Sequence, residues 1–195
     1  NTSWLFLDKI IRLGLGLLVM VYIARYLGPE KYGFWNYAIA FSMLFSAIAT
    51  LGLDGFVVRD IVNHPDDTHL ILGTVFFLRL IAAFLTIAIA YFAITIVKPQ
   101  DITTQILVLI TSAGYIAQSI MVIDYFFQAT LQSKFTVYSQ NIAFLIASIL
   151  KVIFVIQKLD LIWFAIVGLV ELTLASICLI YFYVRNQHEI KKWQF

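Results

Sequence analysis

Charge, proline and cysteine are all scarce in this chain, and each scarcity excludes something. Asp, Glu, Lys and Arg make up only 12% of the 195 residues, about half the share found in ordinary soluble domains. That supply cannot cover a soluble globule or keep a chain disordered. The 13 basic residues are too dispersed to form a nucleic-acid-binding face, so no nucleic acid is expected as a partner. The single cysteine, Cys178, excludes an intramolecular disulfide and a multi-cysteine metal site. It lies in an apolar run and reads as a small buried hydrophobe. Long strict alternation of apolar and polar residues is also missing, which excludes a transmembrane β-barrel.

What is present is apolar sequence in continuous runs. The chain is 62% hydrophobic with a mean hydropathy of +0.94. A helix needs about 20 residues to cross a bilayer, so six crossings would use nearly the whole apolar inventory. The fold class expected is therefore all-α, a polytopic membrane bundle with spans near 4–26, 32–51, 80–97, 102–123, 136–156 and 161–184. Gly28-Pro29, Gly52 and Lys98-Pro99 punctuate the runs. Residues 52–68 form the most polar connection, and a charged, aromatic stretch, DYFFQATLQSKF, follows the fourth run. No internal repeat is visible.

Loop Lys and Arg set the orientation. With a cytoplasmic N-terminus, seven basic residues (Lys9, Arg12, Arg59, Lys134, Arg185, Lys191, Lys192) fall inside and four (Arg25, Lys31, Lys98, Lys158) outside. Both termini are accordingly expected in the cytoplasm. The chain opens at Asn1 with no signal-peptide pattern, so it is expected to be a piece of a longer product.

Charges at membrane depth are the candidates for function, because burying one is costly; the alternative is a long side chain snorkelling to the headgroups. Asp8, Lys9 and Arg12 crowd the start of the first span, and Asp8 and Arg12 are spaced to pair along one face. Arg12 reads either as cavity-lining or as an anchor. Arg79 and Lys151 lie near helix ends and are read as snorkelling. Glu171 is ten residues from one end of its run and thirteen from the other. A carboxylate at that depth must be protonated, paired or in water, which makes Glu171 the candidate for ion coupling and Lys151 its candidate partner. His64-Pro65-Asp66-Asp67 resembles a metal-binding string of sugar deacetylases, but no second ligand set accompanies it and it reads as a polar turn. No metal site, cofactor motif or catalytic constellation is found, and no enzyme activity is expected.

Three strings carry a family resemblance. Ala24-Arg25-Tyr26-Leu27-Gly28-Pro29-Glu30-Lys31-Tyr32-Gly33 resembles the ARYLGPEEYG string of polysaccharide biosynthesis flippases. Leu51-Gly52-Leu53-Asp54-Gly55-Phe56-Val57-Val58-Arg59-Asp60 is similar to their LGLDGxxxRE string. Asp124-Tyr125-Phe126-Phe127-Gln128 is similar to their D-W-x-F-Q-G, with Tyr for Trp and Ala129 for Gly. The order and spacing match as well.

These flippases belong to the multidrug/oligosaccharidyl-lipid/polysaccharide exporter superfamily. The resemblance implies two six-helix lobes around a central cavity, of which this chain supplies the N-terminal one. It implies transfer of undecaprenyl-diphosphate-linked oligosaccharide across a bacterial or archaeal cytoplasmic membrane by alternating access. Cavity cations would hold the diphosphate, and the candidates are Lys9, Arg12, Arg25, Arg59 and Lys151. Expected partners are the lipid-linked oligosaccharide, membrane lipids, the C-terminal lobe, and a polysaccharide polymerase with glycosyltransferases. Gly14 and Gly16 would allow close approach or bending of the first helix. A drug or cation exporter of the same superfamily, and a non-transporting scaffold for glycan assembly, are the alternatives.

Overall fold

The computed structural model describes residues 2–185 and Trp193, with side chains from Arg12 onward. Its elements are α1 (Thr2–Met43), α2 (Ser46–Thr50), α3 (Asp54–Asn63), a 3-10 turn (Pro65–Asp67), α4 (Thr68–Val97), α5 (Ile102–Ile120), α6 (Val122–Ala129), α7 (Lys134–Ile156) and α8 (Leu161–Arg185). Among the described residues the chain is all-helical. Five segments are long and apolar enough to cross a membrane: Arg12–Met43, Pro65–Val97, Ile102–Ala129, Lys134–Ile156 and Leu161–Arg185. Leu18, Phe92, Ile96 and Ile149 are among many large apolar side chains left exposed, as a lipid-facing belt requires. The protein is an integral membrane protein.

The first of those segments is not one straight rod. Gly28 sits at φ 75°, ψ 170°, a conformation open to glycine and costly for any residue with a Cβ, and Pro29 cannot donate the next helical hydrogen bond. Beyond this break the two limbs of α1 fold back on each other. Gly16, Met20 and Ile23 of one limb share a hollow with Ile39, Trp35 and Tyr32 of the other. On a continuous helix Gly16 and Ile39 would stand about 35 Å apart.

Three turns meet at the same end of the bundle. Tyr26 donates to the Leu159 carbonyl at 2.9 Å, and Lys31 pairs with Asp160 at 2.8 Å. Lys98 lies 4.5 Å from the ring centre of Tyr37. An apolar cluster containing Ile23, Leu27, Ile94, Leu107 and Phe164 seals this end. A second cluster, with Val57, Ile61, Val122, Phe127 and Tyr183, seals the other. Lipid offers no hydrophobic force between helices, so small residues and polar contacts bring them together. Ala143 and Ala147 are fully buried on α7, and Ser176 of α8 donates to the Ala117 carbonyl at 2.7 Å. A Cβ on Gly114 would stand 2.7 Å from Leu172 Cδ1, so α5 and α8 cross closely here and a larger residue would push the Leu172 side chain aside.

The polar connection at 52–68 contains a helix that hydropathy alone does not reveal. α3 buries Val57 and Ile61 while its other side stays exposed. The aromatic stretch after the fourth run is likewise helical: α6 buries Tyr125, Phe126 and Phe127.

Candidate functional site

Between the two apolar end clusters the bundle leaves open spaces along α1, α7 and α8. α7 presents Gln140, Phe144, Ser148 and Lys151 at spacings of four, four and three, which places them on one helical face. Gln140 accepts a hydrogen bond from the Arg12 guanidinium at 3.3 Å, and the Phe144 ring lies 5.2 Å from the Arg12 guanidinium carbon. Gly16, one turn past Arg12, faces the same Phe144 ring, and a Cβ there would rest on it at an ordinary contact of 3.7 Å. About 16 Å further along α7, the Lys151 ammonium meets Glu171 of α8 at 2.9 Å.

Three adjoining hollows surround this pair. One of about 580 Å³ is lined by Arg12, Leu13, Leu17 and Glu171. A second of about 220 Å³ shares Gly16, Met20 and Phe144 with the first and reaches Lys151. A third of about 280 Å³ shares Trp35, Ile39 and Lys151 with the second. Lys151 and Glu171 keep 15% and 24% side-chain exposure, so the pair is partly open to these spaces rather than sealed. Lys151 does not snorkel away from the bundle; it turns inward to a carboxylate. Arg12 and Glu171 thus line one hollow and Lys151 the two beside it, so the three residues border a cleft of adjoining spaces.

The other candidates lie elsewhere. Arg25 is exposed near the Gly28 break, with no ion pair among the described residues. Arg59 is exposed on α3, where it lies over Phe56 and approaches the neighbouring Asp60 at 3.8 Å. Lys9 and Asp8 fall outside the described side chains. His64 and the turn Pro65–Asp67 are exposed, and Thr68 closes that turn by donating to the Pro65 carbonyl at 2.7 Å.

Arg79 corrects the sequence reading. It is not a snorkelling side chain but a buried one, 7% exposed, donating to Asp54 of α3 at 3.0 Å. Its guanidinium carbon lies 5.3 Å from the ring centre of Tyr125, and the Tyr125 hydroxyl donates to the same Asp54 oxygen. Next to it, Asp124 accepts from Thr136 at 2.5 Å and from Gln128 at 2.8 Å. Two of the three recognisable strings therefore meet in space through an arginine that belongs to neither. The strings supplied Asp54 and Tyr125; nothing in the spacing of residues 54, 79 and 125 joined them.

Comparison with known proteins gives one finding. A family model described as "Polysaccharide biosynthesis protein" matches residues 1–193. No curated protein and no solved structure matches the chain.

Proposed function

The chain belongs to the polysaccharide biosynthesis family, and from that premise we propose that it is the N-terminal lobe of a flippase for undecaprenyl-diphosphate-linked oligosaccharide. On this reading the limbs of α1 are two crossings, the bundle has six, and both termini lie in the cytoplasm. A second lobe from the same polypeptide faces the cleft, and the two alternate between inward and outward openings. The protein moves its substrate without altering a covalent bond.

The single observation that carries this reading is the cleft. A lipid-linked diphosphate needs cations beside a path through the bilayer, and arginine is the better bidentate partner for phosphate oxygens. Arg12 stands at one part of the path and Lys151 at another, with about 16 Å of α7 between Gln140 and Lys151. Glu171 balances Lys151 and is the ion-coupling candidate. A drug or cation exporter is less well supported, because the deep carboxylate is already held by an ammonium at 2.9 Å.

The test is transfer of a glycan-bearing polyprenyl diphosphate in proteoliposomes holding the intact gene product. Arg12→Ala is expected to abolish transfer at unchanged protein level, and Arg12→Lys to keep part of it. Equal transfer by Arg12→Ala and the parent would reduce Arg12 to an anchor and remove the main support for the reading.

A further inference from the structure

The hollow of about 280 Å³ between the second limb of α1, α5 and α8 has a chemistry unlike the rest of the cleft. We infer that it is a saccharide subsite, taking the sugar ring next to the diphosphate of the carried lipid. This rests on the flippase reading above and adds what that reading leaves open, the part of the cleft that recognises sugar.

The lining has three parts. Trp35 supplies an aromatic wall, and Ile39, Leu169 and Leu172 an apolar one. Gln118 and Lys151 supply polar groups with spare capacity. The Gln118 amide and the Trp35 indole N–H have no hydrogen-bond partner among the described residues, and Lys151 uses one of its three donors on Glu171. The other polar groups there are already engaged: Ser42 and Thr111 hydroxyls bond each other at 2.7 Å, and Tyr115 donates to the Ser42 carbonyl at 2.8 Å. An apolar wall with a few unspent polar groups is the general make-up of a small-molecule site, and the volume is just below the usual range, in keeping with a single ring.

The chemistry selects among occupants. A prenyl or acyl chain would leave Gln118 and the free Lys151 donors without partners in a low-dielectric space, which is unfavourable. A phosphate buried wholly inside this hollow would meet a single cation whose charge Glu171 shares, with no second cation lining the space. A neutral ring with hydroxyls on its edge and C–H bonds on its face suits all three parts at once.

Gly168 marks where the hollow can be filled. It lies inside α8 and lines the hollow, yet a Cβ built there meets nothing within 4 Å. Neither packing nor a positive φ requires glycine at this point, and a glycine inside a helix is less stable than alanine. The missing side chain leaves open space on the wall of the hollow that Trp35 and Gln118 also line.

The experiment measures binding to the full chain in phosphatidylcholine nanodiscs, with three probes: a short-chain prenyl diphosphate, the same molecule carrying one hexose, and the free hexose. The hexosyl probe is expected to bind at least tenfold tighter than the bare one, with the free hexose too weak to detect. Gly168→Leu, which fills the hollow from a position with room for it, should bring the two prenyl probes within twofold while leaving the bare probe unchanged. Gln118→Leu, which adds no bulk at α8, should do the same to a smaller degree. Equal binding of the two probes by the parent, or a preference intact in both variants, would overturn the subsite and leave the flippase reading standing. Binding of neither prenyl probe would overturn both.

Discussion

Among the described residues, two pairs of cation and carboxylate at membrane depth or near it are built for different ends. Arg79 is wrapped: Asp54 bonds it, Tyr125 covers it, and the Tyr125 hydroxyl closes onto the same oxygen. The cation is 7% exposed while its carboxylate partner is 61% exposed. Lys151 and Glu171 are more evenly matched at 15% and 24%, and hollows open beside both. One arrangement ties α3, α4 and α6 together and leaves only its Asp54 carboxylate open. The other leaves donors unspent beside open volume. Burial of a charge alone does not mark a working site; unused hydrogen-bonding capacity beside a cavity does.

Breaking each pair should expose that difference. Asp54→Ala strands a buried guanidinium, so it should cost about 2–3 kcal/mol, below the range for a fully buried pair because water reaches the place Asp54 leaves. Arg79→Met leaves only a carboxylate that already reaches solvent, so it should cost less. Adding it to Asp54→Ala should recover part of the loss in thermal unfolding in detergent. Lys151→Met should cost only about 1 kcal/mol, near the range for solvent-reached pairs, because the hollow can admit water to Glu171. A larger loss than that of Asp54→Ala would reverse the comparison.

Two smaller effects sharpen it at the end where the turns meet. Asp101 caps α5 by accepting from the Thr104 hydroxyl at 2.6 Å and the Thr104 backbone N–H at 3.0 Å, with Lys98 at 3.3 Å. Those Thr104 hydrogen bonds, then Lys98, hold its carboxyl below the ordinary Asp value. A lowered folded pKa gives stability that is present above the unfolded value and lost as pH falls through the folded one. The difference between the parent and Asp101→Ala should be about 1 kcal/mol at neutral pH, and it should shrink on acidification below about pH 4. A difference that is constant with pH would remove the cap from the account.

The smallest effect is at Lys158, which ends α7 at φ 56°. Lys158 N–H bonds the Val155 carbonyl at 3.1 Å and Leu159 N–H the Phe154 carbonyl at 3.0 Å, the double closure in which glycine usually occupies this position. Lys158→Gly should raise stability by about 0.5 kcal/mol, the left-handed strain removed less the entropy glycine adds to the unfolded chain. An unchanged or lower melting temperature would refute that reading of the turn.

How much of this the sequence carried depends on the range of the interaction. The long apolar runs and the Gly28-Pro29 break are local signals, and the helices and the fold-back of α1 follow them. Lys151 and Glu171 were joined by depth alone, two opposite charges with no other partner in hydrocarbon. Arg79 escaped because its partners lie 25 residues back and 46 ahead, in stretches that hydropathy marks only as polar or aromatic. α3 escaped for a related reason: three charges in ten residues hide the Val57 and Ile61 face that packs it down. The hollows were invisible because a cavity is defined by side chains from four helices, and no single segment records it.

Labelling by a membrane-impermeant charged thiol reagent tests the central claim, that the cleft is a water-filled path and not a lipid-covered groove. In a Cys178→Ser background, Met20→Cys and Phe84→Cys place thiols at positions left 47% and 57% exposed by the fold. Met20 lines the cleft, and Phe84 lies near the middle of α4, away from the described hollows. In intact membranes the account predicts labelling at Met20→Cys, slowed by a prenyl diphosphate probe, and none at Phe84→Cys. Labelling at neither position, or equally at both, would contradict it.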